Sequence, residues 1–186
     1  MTEAFAFHDL PAARFEESSG LYALIVFELD FELPAERVWA AVSEPDELAH
    51  WFPSKVSVDL RRGGRIEFSE DPGLEPTSGE VTDVQRLARL AYTWGEDEIV
   101  HELATADGTT TLHFLHVLSD RSAAARAAAR WTVCLQELRK HLSGSAVDGP
   151  RGSSAVPWAL IYEEYVALGF PHGAPVPVDP EASDRT

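Results

Sequence analysis

A chain of 186 residues with 31 acidic and 15 basic side chains carries a formal charge of −16, which opposes general electrostatic binding to nucleic acid or to an anionic membrane. Hydrophobic content of 45% and charged content of 25% suit one globular domain that buries roughly 70% of the surface its unfolded chain exposes, and no apolar run approaches the length of a membrane span. The lone cysteine, Cys134, excludes an internal disulfide and a cysteine metal cage, and the acidic N-terminus lacks the basic region and apolar core of a secretory signal, so a cytoplasmic protein is expected.

Residues 1–19 carry scattered apolar positions without a sustained period and read as a lead-in. From Leu21 the apolar residues alternate through Ala23, Ile25, Phe27, Leu29, Phe31 and Leu33, which predicts a long strand whose second half has one wet face. The stretch LPAERVWAAVSEPDELAHWF (33–52) then reads as two short helices. Pro34 opens the first at an N1-like position, and Val38, Trp39 and Val42 share its apolar face. Glu44-Pro45 ends it, because the residue before a proline is pushed out of the α region, and Pro45 opens the second, whose apolar side is Leu48, Trp51 and Phe52. Helices this short must brace something larger.

Six further strand segments follow the second helix: KVSVDL and RIEFSE around Gly63-Gly64, Gly79–Val84, Arg89–Trp94, Glu98–Ala104 and Thr109–Leu118, the last pair joined at Asp107-Gly108. With the strand from Leu21 the expected total is seven. Asp120–Leu142 reads as a long helix capped by Ser119 or Asp120, with Trp131, Cys134, Leu135, Leu138 and Leu142 as its apolar stripe and Arg139, Lys140 and His141 in the last turn. An antiparallel sheet with one apolar face needs a cover, and this helix has the length to supply it. Arg121, Arg126, Arg130, Arg139 and Lys140 make it locally basic; they read as a solvated face complementing the acidic sheet, with an anion site as the alternative. Residues 143–154 have the composition of a flexible linker, Pro157 to Gly169 reads as a further helix, and the end of the chain as an extended or disordered tail. The expected division is therefore a lead-in (1–19), a main domain (20–144) and a C-terminal linker, helix and tail (145–186) on or near it.

The order β, α, α, six β, α, with Pro34-Ala35-Glu36-Arg37-Val38-Trp39, Trp51-Phe52, Gly63-Gly64, Gly79-Glu80-Val81, Leu90-Ala91-Tyr92-Thr93-Trp94 and Asp107-Gly108-Thr109 followed by Leu112 and His116, resembles the START-like, helix-grip superfamily. Within it the chain is similar to bacterial homologues of the activator of heat-shock protein 90 ATPase. The resemblance spans about residues 21 to 143. It implies an α+β fold in which a curved antiparallel sheet grips the long C-terminal helix around a cavity that, in this superfamily, holds apolar small molecules. Fold alone does not fix function.

Alternation along the strands puts Leu90, Tyr92 and Trp94 on one face with Ile99, His101 and Leu103 and with Leu112, Phe114 and His116. The expected cavity residues are therefore Trp51, Phe52, Tyr92, Trp94, His101, Leu112, Phe114, His116 and Trp131. The two histidines read either as proton donors and acceptors or as polar anchors bonded to neighbours, and the aromatic set either as a ligand wall or as core packing. His113 and His116 lie on opposite strand faces and no third ligand joins His101 and His116, so no metal is expected. Nor does any residue pattern call for a cofactor. There is no G-x-S-x-G elbow, Cys134 sits inside an apolar stripe, and Glu96, Asp97 and Glu98 read as solvated turn residues. Two functional classes follow: a module that binds a small hydrophobic or aromatic molecule, and a cyclase- or dehydratase-type enzyme with a cavity histidine as general acid or base. Regulation of a chaperone ATPase rests on the family's description alone. A second copy of the chain is a further candidate partner.

Overall fold

The computed structural model describes residues 9–18, 22–71 and 75–175. The expected features at residues 1–8, at Leu21 and in the tail beyond residue 175 lie outside the described residues. β1 (Arg14–Ser18) and β2 (Tyr22–Phe31) are followed by α1 (Ala35–Ser43) and α2 (Pro45–Leu48), then β3 (Lys55–Val58), β4 (Arg65–Ser69), β5 (Thr77–Gln85), β6 (Arg89–Trp94), β7 (Asp97–Ala106) and β8 (Thr109–Leu118). A 3-10 turn (Arg121–Ala123) leads into α3 (Ala124–Leu142), and α4 (Trp158–Ala167) closes the order. The strands form one antiparallel sheet in the order β1-β2-β8-β7-β6-β5-β4-β3.

Among the described residues the sheet has eight strands, not seven. The extra one, β1, comes from the lead-in, where Arg14, Glu16 and Glu17 hide the strand: as an edge it pairs with β2 on one side only, so its outward positions stay polar. Along β2 the expected alternation holds, with Ala23, Ile25, Phe27, Leu29 and Phe31 all buried. Leu60, by contrast, falls after β3 and is 38% exposed.

Pro34 caps α1 from just outside it, and Pro45 opens α2. The two helices are braced by Trp51, whose indole Nε1 donates to the Ala41 carbonyl at 2.8 Å. At the Asp107-Gly108 turn both residues take positive φ (51° and 83°), the geometry that a two-residue hairpin of matching twist requires. Gly79 lets β5 approach the β6 side closely, since a Cβ there would lie 1.8 Å from the Thr93 carbonyl oxygen.

α3 begins later than the sequence suggests: Asp120 caps the 3-10 turn by accepting from the Ser122 N–H at 2.9 Å. One side of α3 faces the sheet through Trp131, Leu135 and Leu138, all fully buried. Its other side meets α4, where Tyr165 Oη accepts from the Ala13 N–H and bonds the Thr132 hydroxyl, both at 2.8 Å. The Gly- and Ser-rich segment before α4 is anchored by Lys140 Nζ, which donates to the Ser154 carbonyl at 3.2 Å, and by Asp148, which accepts from Ser154. Among the described residues no helix is long and apolar enough to cross a membrane.

Candidate functional site

β6, β7 and β8 lie side by side, and their register aligns the inward positions in rows: Leu90 opposite His101 opposite Phe114, and Tyr92 opposite Ile99 opposite His116. Trp131 reaches down from α3, while Trp51 and Phe52, expected on the face of the second helix, come in from the turn beyond it because α2 ends at Leu48. Eight of the nine expected residues are buried and Trp94 is partly buried. Their rings pack edge and face: Phe114 to Trp131 (4.5 Å between centroids), Phe52 to Trp131 (5.4 Å), Phe52 to Trp94 (5.5 Å), and His101 to Phe114 (5.2 Å). Phe68 of β4 joins them 5.0 Å from Trp94. The space between sheet and helix is thus filled by the protein's own rings. Two surface hollows, of about 360 and 510 Å³, lie beside β3–β5 and between the start of the 3-10 turn and Gly169–His172, and neither is lined by His101 or His116.

The two inward histidines differ in every polar respect. His116 is bonded at both nitrogens: Nδ1 accepts from the Trp131 indole N–H at 2.9 Å, which leaves the proton on Nε2 to donate to Asp97 Oδ2 at 2.8 Å. Asp97 Oδ1 in turn accepts from the backbone N–H and the hydroxyl of Ser119, at 2.8 and 2.6 Å. Burial works against the Asp97 charge, but the bonds from His116 and from Ser119 outweigh it and hold the pKa at about 2. This chain of bonds pins α3, through Trp131, to the turn that precedes it. Asp97 is therefore an inward, bonded residue and not a solvated turn carboxylate; it shares strand parity with Ile99 and His101, the signal that could have found it.

His101 is fully buried; among the described residues its Nε2 bonds the Tyr92 hydroxyl at 3.2 Å and its Nδ1 has no partner. If Tyr92 donates to Nε2, the orphan is one N–H on Nδ1; if Nε2 donates, both Nδ1 and the tyrosine proton are stranded. The first arrangement leaves fewer groups unpaired, so Nδ1–H is assigned as a free donor in the aromatic interior. Desolvation lowers the pKa of His101 to about 3 and raises that of Tyr92 well above its ordinary value, so both are neutral near pH 7. Burial likewise pushes the Cys134 thiol up to about 12. His113 points to the other face, with Nδ1 3.5 Å from Glu28. Among the described residues no group of three histidine, cysteine or carboxylate side chains converges as a metal site.

Eight antiparallel strands gripping a long helix, with a ring-lined interior crossed by two histidines, define the helix-grip class. Residues 32–143 match the family described as "Activator of Hsp90 ATPase homolog 1-like protein", and the chain belongs to that family. No curated protein matches it by sequence. Among solved structures it is similar to a conserved protein of unknown function from Enterococcus faecalis (20% identity, TM-score 0.67, 84% of this chain and 89% of that one). It is also similar to CalU16 from Micromonospora echinospora (18%, TM-score 0.61, 86% and 94%) and to a protein described as the Aha1 dimer from Colwellia psychrerythraea (20%, TM-score 0.55, 64% and 95%).

Proposed function

We propose that the protein binds a small hydrophobic or aromatic molecule between the sheet and α3, in a main unit of residues 20–144 that the C-terminal segment covers from outside. The observation that carries this reading is the unpaired Nδ1–H of His101. A buried polar group without a partner costs about 1–3 kcal/mol, and such groups in native proteins call for an explanation. A ligand carbonyl, ether or hydroxyl oxygen entering among the rings would supply the missing acceptor. Phe52, Trp94, Phe114 and Trp131 would then exchange contacts with one another for contacts with the ligand, at little net loss of apolar packing.

The same observations favour binding over acid–base chemistry. A histidine with a pKa of about 3 is a weak base at neutral pH but a good neutral donor, and His116 already spends both nitrogens on Trp131 and Asp97. Native mass spectrometry of the protein as purified, beside a denaturing run, tests the proposal. The expected result is a small mass released on denaturation and reduced in a His101→Phe variant. An empty wild-type protein that also fails to take up polycyclic aromatic probes overturns it. The same spectra count the copies of the chain, which checks whether this protein pairs with itself.

A further inference from the structure

The interior rings meet a charged cluster at the Trp94 edge. Arg130, on α3, sets its guanidinium carbon 5.0 Å above the Trp94 ring and pairs with Asp71 Oδ2. Arg151, from the segment before α4, pairs with Asp71 Oδ1 at 2.6 Å and also bonds the Pro53 carbonyl beside Phe52. Ser54, itself 4% exposed, donates to Asp71 Oδ2 at 3.2 Å. A single carboxylate, its side chain only 10% exposed, is thus gripped through both oxygens by two guanidinium groups and a hydroxyl. The charges that act on nearby Cys134 are Arg130, Arg151, Asp71 and Glu137, and Glu137 is matched by Lys140 at 2.6 Å. At Asp71 two guanidinium groups thus face one carboxylate, in a chain whose net charge is −16.

We infer that this is the headgroup site of the binding space, and that the ligand is an apolar or aromatic molecule ending in a carboxylate. The inference rests on the binding reading and names its ligand class. Asp71 marks the position the ligand carboxylate would take. Two planar forks converging on a carboxylate give directional, charge-assisted bonds that a single lysine would not. The layout fixes the rest of the ligand. From Arg130 the path runs through Trp94 to Trp131 and Phe52 and then by Phe114 to His101. The acid end thus sits at the rim, the ring system among the aromatic side chains, and an oxygen at the deep end meets Nδ1–H.

Fluorescence titrations with 1-pyrenebutyric acid and 1-pyrenebutanol at pH 7 and low salt test this, because the probes differ only in the headgroup. The acid is expected to bind at least tenfold more tightly than the alcohol. Arg130→Gln with Arg151→Gln should bring that ratio close to one in a protein whose circular dichroism shows it folded. Asp71→Asn, which removes the internal competitor, should tighten the acid severalfold; if the double arginine variant does not fold, this variant and the wild-type ratio carry the test. Equal affinities for the two probes overturn the carboxylate assignment and leave ligand binding standing. A ratio that persists in the folded double variant, or an Asp71→Asn protein with unchanged acid affinity, overturns the role given to these side chains. If neither probe binds, the headgroup assignment falls, and if the purified protein is also empty by native mass spectrometry, the binding reading falls with it.

Discussion

His101 and His116 occupy neighbouring rows of the same buried face, yet one is fully bonded and the other is not. The difference comes from what lies across the gap. Trp131 and Asp97 bracket His116 on two sides, whereas His101 has Tyr92 on one side and only rings on the other: Trp51 at 6.4 Å and Phe114 at 5.2 Å. Removing the polar pair altogether is therefore expected to help the empty protein. A Tyr92→Phe, His101→Leu double variant should be at least as stable as the wild type in urea denaturation, because both partners leave together and no stranded group remains. The same variant should lose most of its affinity for an oxygen-bearing aromatic probe. A large destabilisation, on the order of the ~3 kcal/mol expected for creating a core defect, would show that the pair is needed for the fold and not kept for a ligand.

At the scale of elements, α3 is held from three directions. The sheet packs under it, the Trp131–His116–Asp97–Ser119 bonds tie it to the turn at its own start, and α4 covers its far side. The last contact joins distant parts of the chain: Tyr165 bonds Thr132 on α3 and Ala13 just before β1, while Phe170 lies 4.7 Å from Tyr165 and 6.0 Å from Phe15 of β1. α4 thus buttresses both the gripped helix and the edge strand. Tyr165→Phe keeps the ring but strands the Ala13 N–H and the Thr132 hydroxyl, so it should cost about 1–3 kcal/mol. Amide exchange should quicken selectively in Arg14–Ser18, the strand it steadies. Unchanged protection in β1 would mean that β2 pairing alone secures that edge.

Over the whole molecule, acid sensitivity follows from the buried titratable groups. His101 takes up a proton in the unfolded chain near its ordinary 6.5 but in the folded protein only near 3. Between those values the unfolded state binds more protons, so stability falls as pH falls, by at most ~1.4 kcal/mol per pH unit. Asp97, held near 2 in the folded protein against an ordinary 3.8, adds stability that is present above the unfolded value and lost as pH drops through the folded one. Glu47 acts in the same direction: burial opposes its charge, but bonds from His141 and Arg37 outweigh that and lower its pKa. Urea midpoints are therefore expected to decline steadily from pH 7 to 4. In the Tyr92→Phe, His101→Leu variant the decline between pH 6.5 and 4.5 should largely vanish, leaving the carboxylate-driven loss below pH 4. A wild-type curve flat from pH 7 to 5 would contradict the burial of a neutral His101.

The sequence by itself determined the helix-grip order, the inward face of each central strand, the burial of Trp51 and Phe52 (though not the turn that carries them) and the α3 stripe. Those features repeat with the period of two or of 3.6 residues that burial imposes on local backbone geometry. It missed β1, because an edge strand with one partner needs no such period, and it read Asp97 as solvated. Only the tertiary structure decided which histidine is paired, that rings fill the space between sheet and helix, and that Asp71, Arg130 and Arg151 meet at its rim. These depend on contacts between residues 59 and 80 positions apart, or on whether an atom finds a partner across a gap between elements. No local periodicity carries that information, because hydrogen bonds and ion pairs across a core are fixed by three-dimensional distance and not by spacing along the chain.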